Sequence, residues 1–215
     1  MKKTLILISM VAMSSIAVAQ TGSWYAGGVV GFASTTDKDA SDKKTVNSSW
    51  AFGPEVGTFL KDDIQVGIAL GLGGSKEKFD GEEESSSSSI SPTIYGRKFF
   101  KITDNFSTFG GLYLSYLGGK TTEDQAGSEV ESKQSGFGVR VGIGIAYAIS
   151  PKFTLVGQYG LLGWQTVSYK VKDNDAGSQS SFDFGVNTVG SSTLVQGNGS
   201  GSAFNVGVYY TFMSK

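Results

Sequence analysis

Three charged side chains stand inside stretches that are otherwise apolar or small: Glu55, Arg97 and Arg140. A carboxylate and two guanidiniums in such surroundings can neutralise one another as ion pairs, or line and block a narrow passage. The partners that catalysis would require are missing. The chain has 0 histidines and 0 cysteines. That removes a Ser-His-Asp triad, a Cys-His dyad, a His/Cys zinc site, disulfides and a lipid-modified N-terminal cysteine.

The other acidic groups fall in polar runs. Asp37, Asp39 and Asp42 are offset by Lys38, Lys43 and Lys44, and Glu82, Glu83 and Glu84 lead into Ser85 to Ser89. Such runs read first as solvated surface, with divalent-cation collection or contact with a host surface as the sharper alternatives. Asp173-Asn174-Asp175 hints at a calcium loop, but Phe184 stands where the closing glutamate is needed and the required glycine is displaced, which rejects an EF-hand. The run GNGSGS (Gly197 to Ser202) has no following helix, so it supports no phosphate cradle. No cofactor and no metal site is expected, and the inventory weighs against an enzyme.

The elements that must carry these side chains are strands. From Gly136 to Ile149, Phe137, Val139, Val141, Ile143, Ile145, Tyr147 and Ile149 alternate with Gly136, Gly138, Arg140, Gly142, Gly144, Ala146 and Ala148. A period of two means a β-strand with one face in an apolar medium. Ile64 to Gly73, Phe204 to Phe212 and Trp50 to Gly57 repeat the pattern. Weaker strands fit at Trp24–Ala33, Ile90–Ile102, Phe106–Thr121 and Phe153–Lys170. Both faces of Phe106–Thr121 are largely apolar, so its phase stays open. Arg97 and Lys98 sit on opposite faces of their strand, so one of them must point toward lipid and snorkel to the boundary.

A soluble antiparallel sheet would cover its outer face with Lys, Glu and Thr. Here the face opposite the bulky residues carries glycine, alanine and a few polar groups. Residues that small belong in the crowded interior of a narrow barrel, and bulky apolar residues facing outward all round require lipid. A lipocalin-like soluble barrel needs the reverse arrangement.

The connections alternate in length. Lys61-Asp62-Asp63, Thr103-Asp104-Asn105 and Pro151-Lys152 are tight turns, whereas Ser34–Ser48, Ser75–Ser89, Thr122–Ser135 and Val171 to Ser202 read as long polar loops. Short periplasmic turns and long external loops are the outer-membrane arrangement. The expected fold is therefore all-β: an eight-stranded antiparallel transmembrane β-barrel, an up-and-down meander with both termini in the periplasm. Trp24, Tyr25, Phe99, Phe100, Phe106, Phe153, Tyr210 and Phe212 gather near the proposed periplasmic ends and read as an interfacial girdle. The segment FDFGVNT (Phe182 to Thr188) is apolar for a loop, so it either extends a strand above the membrane or folds back over the mouth.

Residues 1–19 read as a secretory signal: Lys2 and Lys3, an apolar core from Leu5 to Met13, then Ala17-Val18-Ala19 before Gln20. Residues 20–215 would form one barrel domain. Without Lys2 and Lys3 the chain keeps 16 basic against 19 acidic residues, a formal charge near −3 that leaves no strongly basic nucleic-acid footprint.

The last strand, NVGVYYTF, resembles the β-signal read by the barrel-assembly machinery, with Asn205, Gly207, Tyr210 and Phe212 at the matching positions. It departs from that pattern in that Met213, Ser214 and Lys215 follow the final aromatic. With the leader, the opening SWYAGGVVGF and the eight-strand rhythm, the chain resembles the porin-family outer-membrane β-barrel proteins. It is similar in scale to the membrane domains of outer-membrane proteins A, X and W. The resemblance implies export through the periplasm, assembly by the barrel-assembly machinery, and outer-membrane lipid as surroundings. It says almost nothing about activity, because many roles share the scaffold.

Within that barrel, Glu55 and Arg97 each lie about five residues above a periplasmic turn, on the second and fourth strands, and Arg140 lies higher on its own. They are expected to form a luminal ion-pair network that plugs the lumen, with Gln65 and Gln158 as neutral partners. The leading function is a structural or surface-interaction barrel displaying four external loops. A passive channel for ions or small solutes comes second, and a surface adhesin or ligand-binding barrel third. The extracellular ligand is not named by the residues.

Overall fold

The computed structural model describes residues 21–39, 42–125, 128–171, 174–184 and 204–212. The expected leader, the GNGSGS run, Gly185 to Thr188 of the FDFGVNT segment, Asp173 of the rejected calcium loop, and Met213 to Lys215 lie outside the described residues. No helix among the described residues is long and apolar enough to cross a membrane.

The strands are β1 (Trp24–Lys38), β2 (Lys44–Lys61), β3 (Ile64–Phe79), β4 (Glu82–Lys101), β5 (Phe106–Gln125), β6 (Ser128–Ala148), β7 (Phe153–Val171), β8 (Asn174–Phe184) and β9 (Phe204–Phe212). Each of β1 to β7 pairs antiparallel with its neighbour in sequence. The ring closes through β9, which pairs with β7 from Phe153↔Tyr210 to Tyr159↔Phe204 and with β1 from Trp24↔Phe212 to Val29↔Gly207. Farther along β7, β8 takes the same edge, from Leu162↔Phe184 to Val171↔Asn174. The barrel thus has eight staves, the last one made of two strands in tandem. Phe182 and Phe184 belong to β8, so this part of the FDFGVNT segment extends a strand.

The outer face is apolar. On β6, Phe137, Val139, Val141, Ile143, Ile145 and Tyr147 are all exposed, while Arg140 and Ala146 between them and Ala148 after them are buried. Val30 and Phe32 on β1 are 81% and 78% exposed. In water these surfaces would be untenable, whereas hydrocarbon favours them. Ten residues separate Phe137 from Tyr147, and at about 3.3 Å per residue with a tilt of about 40° they cover roughly 25 Å of height. That matches the apolar band of an outer-membrane barrel. In β5 the phase left open by sequence is settled: Phe109, Tyr113 and Leu117 face in, Leu112, Leu114 and Tyr116 face out.

Two expectations are corrected. The polar stretches read as loops are largely strand. β3 continues to Phe79 and β4 begins at Glu82, and β5 and β6 meet across Gln125↔Ser128. A polar strand still satisfies its backbone by pairing with its neighbour, so an antiparallel ribbon can continue into water once the membrane ends. The β3–β4 turn is Asp80-Gly81, both with positive φ (51° and 96°), the backbone of a two-residue hairpin turn. The girdle is also thinner than expected. Tyr25 is buried and Phe99 packs against Phe59 and Phe109, so these two rings point inward. Adjacent aromatics on a strand must take opposite faces, and Trp24 and Phe100 take the outer one.

Candidate functional site: a charge cluster across the lumen

The inner face of the barrel mixes small residues with a few large polar ones, and closure aims the large ones at a single point. Arg97 on β4 occupies that point, and its side chain and that of Glu55 are both fully buried. The two form a bidentate pair: Arg97 Nη1 donates to Glu55 Oε1 at 2.9 Å and Nη2 to Oε2 at 3.2 Å. Register explains the reach. Glu55 on β2 lies beside Ala69 on β3, which lies beside Thr93 on β4, so the pair spans the strand between them.

The rest of the guanidinium is occupied as well. Nε donates to Tyr113 Oη at 3.0 Å, Nη1 to Gln65 Oε1 at 3.1 Å and to Tyr209 Oη at 3.3 Å, and Nη2 to Gln158 Oε1 at 3.3 Å. A guanidinium has five N–H donors, and every nitrogen here meets an acceptor. The acceptors come from β2, β3, β5, β7 and β9. Tyrosines wall the cluster. Tyr95 Oη donates to Glu55 Oε1 at 2.9 Å, so Tyr25, hydrogen-bonded to Tyr95, must be the donor of that second bond. Tyr113 Oη donates to Gln158 Oε1 at 3.1 Å. The cation also lies over the Tyr95 ring, 4.2 Å from its centroid.

Small residues make room for these rings. A Cβ on Gly67 would stand 2.5 Å from Tyr95 Oη, and one on Gly111 2.8 Å from Tyr113 Oη. The wall therefore has to be smooth beneath each tyrosine.

The residues expected at the site are distributed as follows. Glu55, Arg97, Gln65 and Gln158 come together in one cluster. Arg140 is buried on β6, two strands round from Arg97, with its guanidinium 5.3 Å from the Tyr113 ring centroid. Both guanidiniums lie over the Tyr113 ring. Lys98 is the outward member of the Arg97–Lys98 pair, with its side chain 57% exposed and 3.5 Å from Asp63 at the turn. Sequence reasoning missed Tyr25, Tyr95, Tyr113 and Tyr209 as cluster members. A signal existed: Tyr95 and Arg97 are two apart on one strand and so must share a face. On β9, Gly207 and Tyr209 are buried, whereas Tyr210 and Phe212 lie outside, where Tyr210 meets Phe153 edge-on at 5.1 Å. Asn205 pairs in register with Gln158.

Among the described residues no three His, Cys, Asp or Glu groups converge as metal ligands. What the cluster can do is tie side chains from β1, β2, β3, β4, β5, β7 and β9 together across the interior.

A ring of antiparallel strands with an apolar exterior and a hydrogen-bonded polar interior defines an integral outer-membrane β-barrel. The chain belongs to the outer membrane protein beta-barrel domain family, whose model matches residues 4–212. It resides in the bacterial outer membrane. No curated protein matches the sequence. Among solved structures it is similar to the outer membrane protein OprG from Pseudomonas aeruginosa, at 15% identity and a TM-score of 0.52, covering 93% of this chain and 100% of that one. It is also matched by Neisserial surface protein A, at 14% identity and a TM-score of 0.42, covering 89% of this chain and 98% of that one. The translocator domain of the autotransporter NalP from Neisseria meningitidis matches at 14% identity and a TM-score of 0.43, covering 84% and 66%. At such identities the likeness to OprG speaks for the fold alone.

Proposed function

We propose that this protein is a closed structural barrel that displays four strand-built hairpins outside the cell, with a lumen plugged at Arg97. One observation carries the reading: the guanidinium is fully buried and meets acceptors from five strands around the ring. Ions that crossed would have to displace a buried bidentate pair, and breaking such a pair is costly. The reading assigns no catalysis to the chain. It assigns recognition by the barrel-assembly machinery to Asn205, Gly207, Tyr210 and Phe212.

The second reading is a narrow passive channel. It draws on two buried polar atoms, Ser91 Oγ and Gln158 Nε2, that have no hydrogen-bond partner among the described residues and so suit water in the lumen. Planar-bilayer recording of the wild type and of Glu55→Ala separates the two. A closed barrel gives no discrete conductance in the wild type, with openings only once Glu55 is removed. Steady single-channel steps in the wild type would overturn the plug.

A further inference from the structure

On the outer wall, β2 to β5 enclose a groove of about 600 Å³, within the usual range of small-molecule sites. Val66, Ile68, Ile94 and Leu112 form its sides, Trp24 closes one end, and Gly96 is its floor. Register accounts for the dent. Across one row, Thr58, Val66, Gly96 and Leu112 are successive partners, and the glycine leaves a gap where its neighbours carry bulky groups. A Cβ at Gly96 would meet only the Gln65 carbonyl oxygen at 3.9 Å, so the space there is open.

The next row toward the turns carries charge. Lys61, Ile64 and Lys98 are successive partners, and both lysines are exposed. The groove therefore runs from an apolar trough to two lysines flanking one isoleucine, and Asp63 lies 3.5 Å from the Lys98 ammonium. An apolar chain ending in an anion fits that order, and in a membrane the molecule of that kind is a phospholipid.

We propose that this groove is a specific site for one phospholipid of the periplasmic leaflet, with an acyl chain over Gly96 and the headgroup phosphate between Lys61 and Lys98. Its position supports the leaflet assignment, because the two lysines border the short Asp62-Asp63 turn.

The test uses the full-length barrel in a neutral detergent. Phosphatidylglycerol is titrated in and adducts are counted by native mass spectrometry. In parallel, quenching of Trp24 by brominated chains is read in a Trp50→Phe, Trp164→Phe background. One retained lipid and saturable quenching are expected. The Lys61→Gln, Lys98→Gln pair should weaken binding about twenty-fold, from roughly fivefold per lysine near a charged headgroup. Gly96→Leu should abolish the saturable quenching while the barrel still folds. Saturable quenching that is unchanged in both variants would overturn the site and leave ordinary annular lipid. So would a disulfide-linked dimer through Gly96→Cys, the sole thiol in a chain that has 0 cysteines, because it would put a second copy on the groove.

Discussion

Replacing Glu55 with glutamine tests the luminal cluster directly. Glutamine keeps the volume and one carbonyl oxygen but removes the charge that faces Arg97 Nη1 and Nη2 at 2.9 and 3.2 Å. The other acceptors around the guanidinium, on Gln65, Gln158, Tyr113 and Tyr209, are neutral. Breaking one half of a buried pair costs about 3–5 kcal/mol, and these remaining acceptors place the expected loss near the lower end. That is on the order of a hundredfold in the folding equilibrium. Arg97→Met alone leaves the carboxylate buried without its cation and should cost a similar amount. The double variant removes both charges, and replacing a whole buried pair by neutral groups is often close to neutral. Its loss should therefore fall short of the summed single losses by at least about 2 kcal/mol. The assay is reversible urea unfolding from lipid vesicles, followed by fluorescence of the 3 tryptophans. Single losses that add to within about 0.5 kcal/mol would show that the pair does not couple these strands, and the plug argument would fail with it.

Three further outcomes are expected. Filling the wall beneath a tyrosine should destabilise the barrel: Gly67→Val forces Tyr95 off its seat and should cost about 1–3 kcal/mol in the same urea assay, with no loss refuting the packing. In the short turn between β4 and β5, Asp104 accepts a hydrogen bond from Lys101 at 2.9 Å, which together with the attraction of that ammonium holds its carboxyl below the usual carboxylate range. A lowered folded-state value stabilises above the unfolded value and is lost as pH falls through the folded one, so an NMR titration should place Asp104 below the usual carboxylate range and Lys101→Gln should raise it. Gly81→Ala at φ +96° should cost about 1 kcal/mol locally and speed amide exchange in the outer β3–β4 ribbon without changing exchange in the membrane-level rows.

The sequence was most informative where burial differs sharply between two faces. Strict alternation along Gly136 to Ile149 fixed both the strand and its outward side, because a shift of one residue would put every isoleucine in the lumen. It was least informative where both media accept the residue. Ser85 to Ser89 suits a loop or a solvated ribbon equally, and the run proved to be strand because β3 and β5 lie on either side to pair with it. The Asp80-Gly81 turn was the local sign of that hairpin. For Arg97 and Lys98 the pattern required only that they differ.

By itself, then, the chain determined its class and its solvent: strands from the period of two, a membrane from the bulky face opposite glycine, and no His/Cys chemistry from the missing residue types. Tertiary structure alone decided which neighbour of each ambiguous pair points inward, how the last stave divides into β8 and β9, and which groups surround Arg97. Those depend on closure of the ring. Glu55, Gln65, Tyr113, Gln158 and Tyr209 are up to 154 residues apart in sequence, and only the curvature and register of a closed sheet bring them within hydrogen-bond distance of one guanidinium.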